Sequence, residues 1–93
     1  MKNQEIQYCP ICKTSVHIIP RYPNYICNTC IETGTFTLTG KPISFRNESI
    51  MGGFVSIVGN EIGSIHDCVI KGIYCWADEA RFGGIVIQKK DKR

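Results

Sequence analysis

The stretch Ile65-His66-Asp67-Cys68-Val69-Ile70, Lys71-Gly72, Ile73-Tyr74-Cys75-Trp76-Ala77 reads as two β-strands joined by a two-residue turn. Both runs are rich in β-branched and aromatic residues, and a dipeptide ending in glycine supplies the backbone freedom that a tight hairpin needs. The turn sets the register: Ile70 opposite Ile73, Val69 opposite Tyr74, Cys68 opposite Cys75, Asp67 opposite Trp76 and His66 opposite Ala77. Side chains alternate between the two faces of a strand. One face therefore carries His66, Cys68, Ile70, Ile73, Cys75 and Ala77, and is the expected core. The other carries Asp67, Val69, Tyr74, Trp76 and Asp78. The fold class that follows is mostly β, with an antiparallel sheet in the C-terminal part and little helix.

The flanking segments extend this reading. Thr35-Phe36-Thr37-Leu38-Thr39 and Ile43-Ser44-Phe45-Arg46 alternate polar and apolar around Gly40-Lys41-Pro42, which predicts a hairpin burying Phe36, Leu38, Ile43 and Phe45. Asn47-Glu48-Ser49 is a turn, Gly52-Gly53 marks a bulge or bend before the strand Phe54-Val55-Ser56-Ile57-Val58, and Gly59-Asn60-Glu61-Ile62-Gly63 reads as a loop. Asp78-Glu79-Ala80-Arg81-Phe82 reads as one helical turn, and Ile85-Val86-Ile87 as a short final strand.

A chain of 93 residues, 43% hydrophobic and 20% charged, is expected to form a single domain: a subregion at 6–34, an antiparallel subregion at 35–88 and a basic tail at 89–93. Folding at this size buries only about 60–65% of the surface of the unfolded chain, so the apolar core alone stabilises weakly. Six cysteines are a candidate staple. No apolar run approaches the ~18 residues of a membrane span, and Met1-Lys2-Asn3-Gln4-Glu5 lacks the apolar centre of a secretory signal. A cytoplasmic location without membrane contact is the expectation. In a reducing compartment, closely paired cysteines point to metal binding or thiol chemistry before disulfides.

Four of the six cysteines form such pairs. Cys9-Pro10-Ile11-Cys12 and Cys27-Asn28-Thr29-Cys30 are separated by fourteen residues. Two residues between cysteines let a tight turn aim both sulfurs at one ion, with the backbone N–H groups of the turn offsetting the thiolate charge. Two knuckles facing one another give a tetrahedron of soft ligands with metal–sulfur distances near ~2.3 Å and no open position. A closed shell implies a structural role, and a tetrathiolate suits one zinc ion per chain, with iron as the alternative. Thioredoxin-like chemistry would use one pair inside a βαβ unit, which this chain lacks. His17 is a spare ligand beside a shell that four thiolates already complete.

These knuckles resemble those of the zinc-ribbon proteins, which commonly read Cys-Pro-x-Cys and Cys-x-x-Cys. The resemblance covers about the first third of the chain. It implies a structural Zn²⁺ held by Cys9, Cys12, Cys27 and Cys30 in a β-ribbon, with residues 13–26 as a β-hairpin between the knuckles. Many ribbons place glycine just after a knuckle; Lys13 and Ile31 stand there instead. Ribbons serve protein contacts, nucleic-acid binding and plain stabilisation, so the motif leaves function open.

The formal charge of +3 lies wholly in the last six residues, where Lys89, Lys90, Lys92 and Arg93 face only Asp91. Residues 1–87 are balanced, with seven basic and seven acidic side chains. Four thiolates around a divalent ion remove two more charges, leaving about +1. A duplex-binding surface needs concentrated basic residues, so a protein partner ranks ahead of nucleic acid.

Four further groups have both a functional and a plainer reading. Cys68, Cys75 and His66 share a face and could support a thiol-dependent enzyme; unpaired cysteines on an otherwise apolar face more often pack as core. Tyr74 and Trp76 form an aromatic patch that either packs beneath residues 78–87 or is open to a protein partner. Arg21, Tyr22 and Tyr25 could clamp single-stranded nucleic acid together with the basic tail, or simply cover the ribbon. Asp78, Glu79 and Arg81 read as a solvated turn rather than as acid–base groups. No residue is singled out as catalytic.

Overall fold

The computed structural model describes residues 6–49, 52–80 and 84–90. The chain runs through β1 (Gln7–Tyr8), β2 (Ser15–Val16), α1 (Asn28–Thr33), β3 (Thr35–Phe36), β4 (Ser44–Arg46), β5 (Val55–Val58), β6 (Glu61–Gly63), β7 (Asp67–Ile70), β8 (Ile73–Glu79) and β9 (Ile85–Lys89). All pairings are antiparallel: β1 with β2, a four-stranded sheet in the order β3-β7-β8-β9, and a three-stranded sheet in the order β4-β5-β6. The fold is small and mostly β, as the sequence predicts. No helix among the described residues is long and apolar enough to cross a membrane.

The central hairpin has the expected register, from Ile70 opposite Ile73 to Asp67 opposite Trp76. One further rung follows, as the Ala77 N–H donates to the His66 carbonyl at 2.8 Å. Lys71 and Gly72 both take positive φ, 52° and 79°. Two left-handed residues twist a turn to match the right-handed twist of the strands. Four of the six residues expected on the core face, Cys68, Ile70, Cys75 and Ala77, are buried, and Ile73 is half-buried. They pack with Ile43, Ile87, Ile26 and the N-terminal cysteines Cys9 and Cys30 in one cluster.

Elsewhere the structure corrects the sequence reading. The segment at 35–46 does not form a hairpin along its length. Thr35 and Phe36 join β7, Ser44–Arg46 joins β5, and the two halves meet only through the Phe36–Pro42 bridge and an Ile43 N–H to Thr35 carbonyl bond. The Thr37 hydroxyl oxygen accepts from the N–H groups of Thr39 and Lys41, a side-chain-to-backbone turn that ends the extended run. Leu38 is thereby placed at a turn, 43% exposed. Phe36, 39% exposed, lies against Gly34 at the end of α1, where an added Cβ would meet its ring at 2.8 Å. Of the four predicted core residues, only Ile43 is fully buried, with Phe45 half-buried.

Three more boundaries move. The expected loop at 59–63 is a tight turn at Gly59 and Asn60 followed by strand β6. The expected helical turn at 78–82 is not formed where it is described, because Asp78 and Glu79 continue β8 opposite Val86 and Ile85; Arg81 and Phe82 lie outside the described residues. The final strand reaches Lys89, and the Lys90 N–H donates to the Tyr74 carbonyl. Lys89 is therefore the last residue of β9, and Lys90 follows it.

The N-terminal lobe differs most from a β-ribbon. The hairpin β1–β2 brackets the first knuckle instead of lying between the two, residues 17–26 contain no strand, and the second knuckle opens helix α1. Asn24 to Ile26 then lie along β9: Lys89 N–H donates to Asn24, Ile26 N–H donates to Ile87, and Tyr25 bridges Gln88. This strip covers part of the β9 edge and delivers Cys27 to the sheet.

Candidate metal centre

The first knuckle is built by its own backbone. Cys9 N–H donates to the Thr14 carbonyl, Lys13 N–H donates to the Cys9 carbonyl, both at 2.9 Å, and Ile11 N–H points at Cys9 Sγ at 3.4 Å. Closing this turn requires a left-handed residue after Cys12, and Lys13 takes it with φ 68°. The conformation that ribbons usually assign to glycine is thus kept by lysine, at a cost of about 1–2 kcal/mol. Ile31, in the corresponding place after the second knuckle, is helical and needs no such turn.

The second knuckle uses a helix start. Cys27 is the N-cap of α1, with extended φ and ψ, and Cys30 is its third residue. The two residues between them form the first turn of the helix, which brings both cysteines to the same end of α1.

Together the knuckles bring four sulfurs within 4.8 Å of one another. Cys12 Sγ and Cys27 Sγ are 3.6 Å apart, and Cys9 Sγ and Cys30 Sγ 3.9 Å. A tetrahedron with metal–sulfur bonds of ~2.3 Å has sulfur–sulfur edges of about 3.8 Å. The residues present therefore fit a tetrathiolate metal, and the four cysteines predicted from spacing are the ones brought together.

The site has an inner and an outer half. Cys9 and Cys30 are 0% and 1% exposed, Cys12 is exposed and Cys27 half-buried. Burial pushes the Cys30 thiol up to about 12, and burial also raises Cys27. Burial acts on Cys9 too, but the backbone N–H groups of Cys27, Cys12 and Ile11 outweigh it and hold that thiol below its usual value. Cys12 lies lowest, at about 6, held there first by the Thr14 side chain and then by the Thr14 backbone; the Thr14 hydroxyl is 3.2 Å from Cys12 Sγ. Four thiolates in so small a volume call for a cation between them. Thr14 is a supporting residue that the spacing argument missed, although its place two residues after Cys12 put it within reach of the knuckle.

His17 is exposed, and its carbonyl accepts from the Tyr25 hydroxyl at 2.7 Å. It is not in the cysteine cluster. Gln7 fixes the same loop from the other side, donating to the Tyr22 carbonyl and accepting from the Ile19 N–H, both at 2.9 Å. Of the loop residues considered for a partner, Arg21 is exposed, and Tyr22 and Tyr25 are half-buried. Tyr25 bridges Gln88, the direct partner of Trp76, so the loop lies one strand away from Trp76.

Tyr74 and Trp76 are half-buried, and the cover over Trp76 differs from the expected packing beneath residues 78–87. Its indole stacks on His66 with centroids 5.0 Å apart, His66 stacks on Phe54 at 4.2 Å, and Phe54 stacks on Phe45 at 5.6 Å. Lys90 Nζ lies 4.8 Å from the indole centroid. The His66 ring, assigned to the core face from alternation, precedes β7 and joins this stack, with Nδ1 donating to the Ala77 carbonyl at 2.7 Å. Cys68 and Cys75 stand opposite each other in the buried cluster. Comparison with protein-family models, with curated proteins and with solved structures finds no match, so the functional reading rests on the cysteine cluster and its surroundings.

Proposed function

We propose that Cys9, Cys12, Cys27 and Cys30 hold one zinc ion as a structural tetrathiolate, and that the protein acts as a non-catalytic binding module, most readily for a protein partner. The observation that carries this reading is the pair of sulfur–sulfur distances, 3.6 and 3.9 Å, on either side of the edge of a zinc tetrathiolate. When bound, the ion supplies positive charge and a cross-link between the knuckle after β1 and the start of α1. The chain's residues do the rest: backbone N–H groups and Thr14 orient and stabilise the thiolates, and four sulfurs leave no coordination position for a substrate or an activated water.

A protein partner is supported by the apolar side chains on the outside of the metal lobe, Ile6, Tyr8, Ile18 and Ile19, each 36–55% exposed. Exposed apolar side chains suit protein contacts better than phosphate contacts. The neutral balance of residues 1–87 points the same way. Fluorescence anisotropy with labelled single-stranded and duplex DNA and RNA, over a range of salt, tests the assignment. Weak, salt-abolished binding is expected. Micromolar affinity with a steep salt slope that persists in a variant with Lys89, Lys90, Lys92 and Arg93 replaced by glutamine would transfer the function to nucleic acid.

A further inference from the structure

The two halves of the cysteine cluster differ in a way that a purely structural metal site does not require. Cys12 is exposed and Cys27 half-buried, their sulfurs 3.6 Å apart, whereas Cys9 and Cys30 are closed off beneath them. A small oxidant arriving from solvent meets the outer sulfurs first, and thiolate oxidation follows access. Lys13, the next residue, places a cation on the same exposed turn, with Nζ 3.2 Å from the Pro10 carbonyl. Cys12 and Cys27 come from different knuckles. A bond between them would therefore join residue 12 to the N-cap of α1 while removing two of the four ligands.

We propose that Cys12 and Cys27 form an oxidative release site for the metal, with hydrogen peroxide as the oxidant. The Cys12 thiolate attacks one peroxide oxygen and the O–O bond breaks, giving a sulfenic acid at Cys12 and one hydroxide. The Cys27 thiolate then attacks the Cys12 sulfur, forming the S–S bond and expelling a second hydroxide. Two thiolates lose two electrons, and the two peroxide oxygens gain them. The sulfurs close from 3.6 Å to a bond of ~2.05 Å, and the remaining pair, Cys9 and Cys30, is too few to retain the ion. Cys68 and Cys75, buried in the sheet, are not reached.

This inference rests on the zinc reading, and one experiment separates them. Zinc content is measured on the full chain as purified; hydrogen peroxide is then added in substoichiometric steps, with released zinc followed by a colorimetric chelator and disulfides mapped by acid proteolysis and mass spectrometry. The expected result is one zinc released per peroxide consumed, a Cys12–Cys27 linkage as the first product, unmodified Cys68 and Cys75, and recovery of zinc binding after dithiothreitol. A preparation without metal contradicts the zinc reading itself. A zinc-loaded preparation that keeps its metal under excess peroxide, or whose first product is Cys9–Cys12, Cys27–Cys30, Cys9–Cys30 or a modified Cys68 or Cys75, overturns the release site alone.

Discussion

Cys68 stands directly opposite Cys75 across the β7–β8 ladder, and neither thiol has any solvent exposure. Burial is the first cause that raises both, Cys68 to about 12 and Cys75 to about 11, from 9.0. The folded state therefore holds both as neutral thiols. Iodoacetamide at pH 8 should modify them at least about a hundredfold more slowly than an exposed cysteine, since two pKa units cost that much thiolate. Rapid alkylation in the metal-loaded protein would restore the thiol-enzyme reading.

The same shifts fix a pH dependence. Unfolded thiols lose their protons near 9.0, whereas the folded ones keep theirs to about 11 and 12, so the unfolded chain gains stability on ionisation and the folded chain does not. The contribution is complete below pH 9 and disappears as pH rises through the folded values. Thermal melts of the metal-loaded protein should show a falling midpoint above pH 9. Cys75→Ala should melt lower at pH 7 and show a shallower alkaline decline.

The Thr14 hydroxyl, 3.2 Å from Cys12 Sγ, supports a ligand without being one. Thr14→Val keeps the shape and removes the hydrogen bond. Loss of such outer support costs about 10–100-fold in metal affinity, and chelator competition should place this variant at the lower end, near tenfold, with an unchanged circular dichroism spectrum. Equal affinity for the two proteins would show that the hydroxyl does not act on the metal site.

Lys71 adopts φ 52° at the first position of the central turn, where asparagine is the favoured non-glycine residue. Lys71→Asn should stabilise by about 0.5–1 kcal/mol, which raises the melting midpoint of a domain this size by roughly 2–8 °C. A lowered midpoint would mean that the lysine makes a contact outweighing the strain.

Phe54 stacks on His66 with planes 4° apart, linking the β4-β5-β6 sheet to Trp76. Phe54→Leu preserves much of the apolar area and abolishes the ring contact, at a cost of about 1 kcal/mol. Denaturant titration should show that loss together with a changed tryptophan emission. An unaltered emission would indicate that the stack does not hold Trp76.

The parts of the fold that were legible are those where one local rule settles the outcome. Lys71-Gly72 determines a two-residue turn, and with it the placement of Cys68, Cys75, Tyr74 and Trp76. The two C-x2-C pairs determine which sulfurs meet. Illegible were places where a tertiary partner outweighs local pattern: Asp78 and Glu79 carry polar turn-like side chains yet lie in β8 because Ile85 and Val86 offer a pairing edge. Likewise Cys27-Asn28-Thr29-Cys30 opens a helix, a choice between helix and ribbon that the cysteine spacing leaves undecided. Alternation alone points Leu38 inward, and the Thr37 hydroxyl turns the chain before alternation can continue. His66 lies one residue outside its strand, where strand alternation no longer applies, and so joins the aromatic stack.

As a zinc site, the sulfur cluster would hold the N-terminal lobe together. Native mass spectrometry with elemental analysis of the purified full chain tests it most directly. One zinc per chain is expected, lost in the Cys9→Ser and Cys30→Ser variants together with the folded state of at least residues 6–34. Metal-free protein that nonetheless melts cooperatively with the β1–β2 hairpin and α1 intact would contradict it.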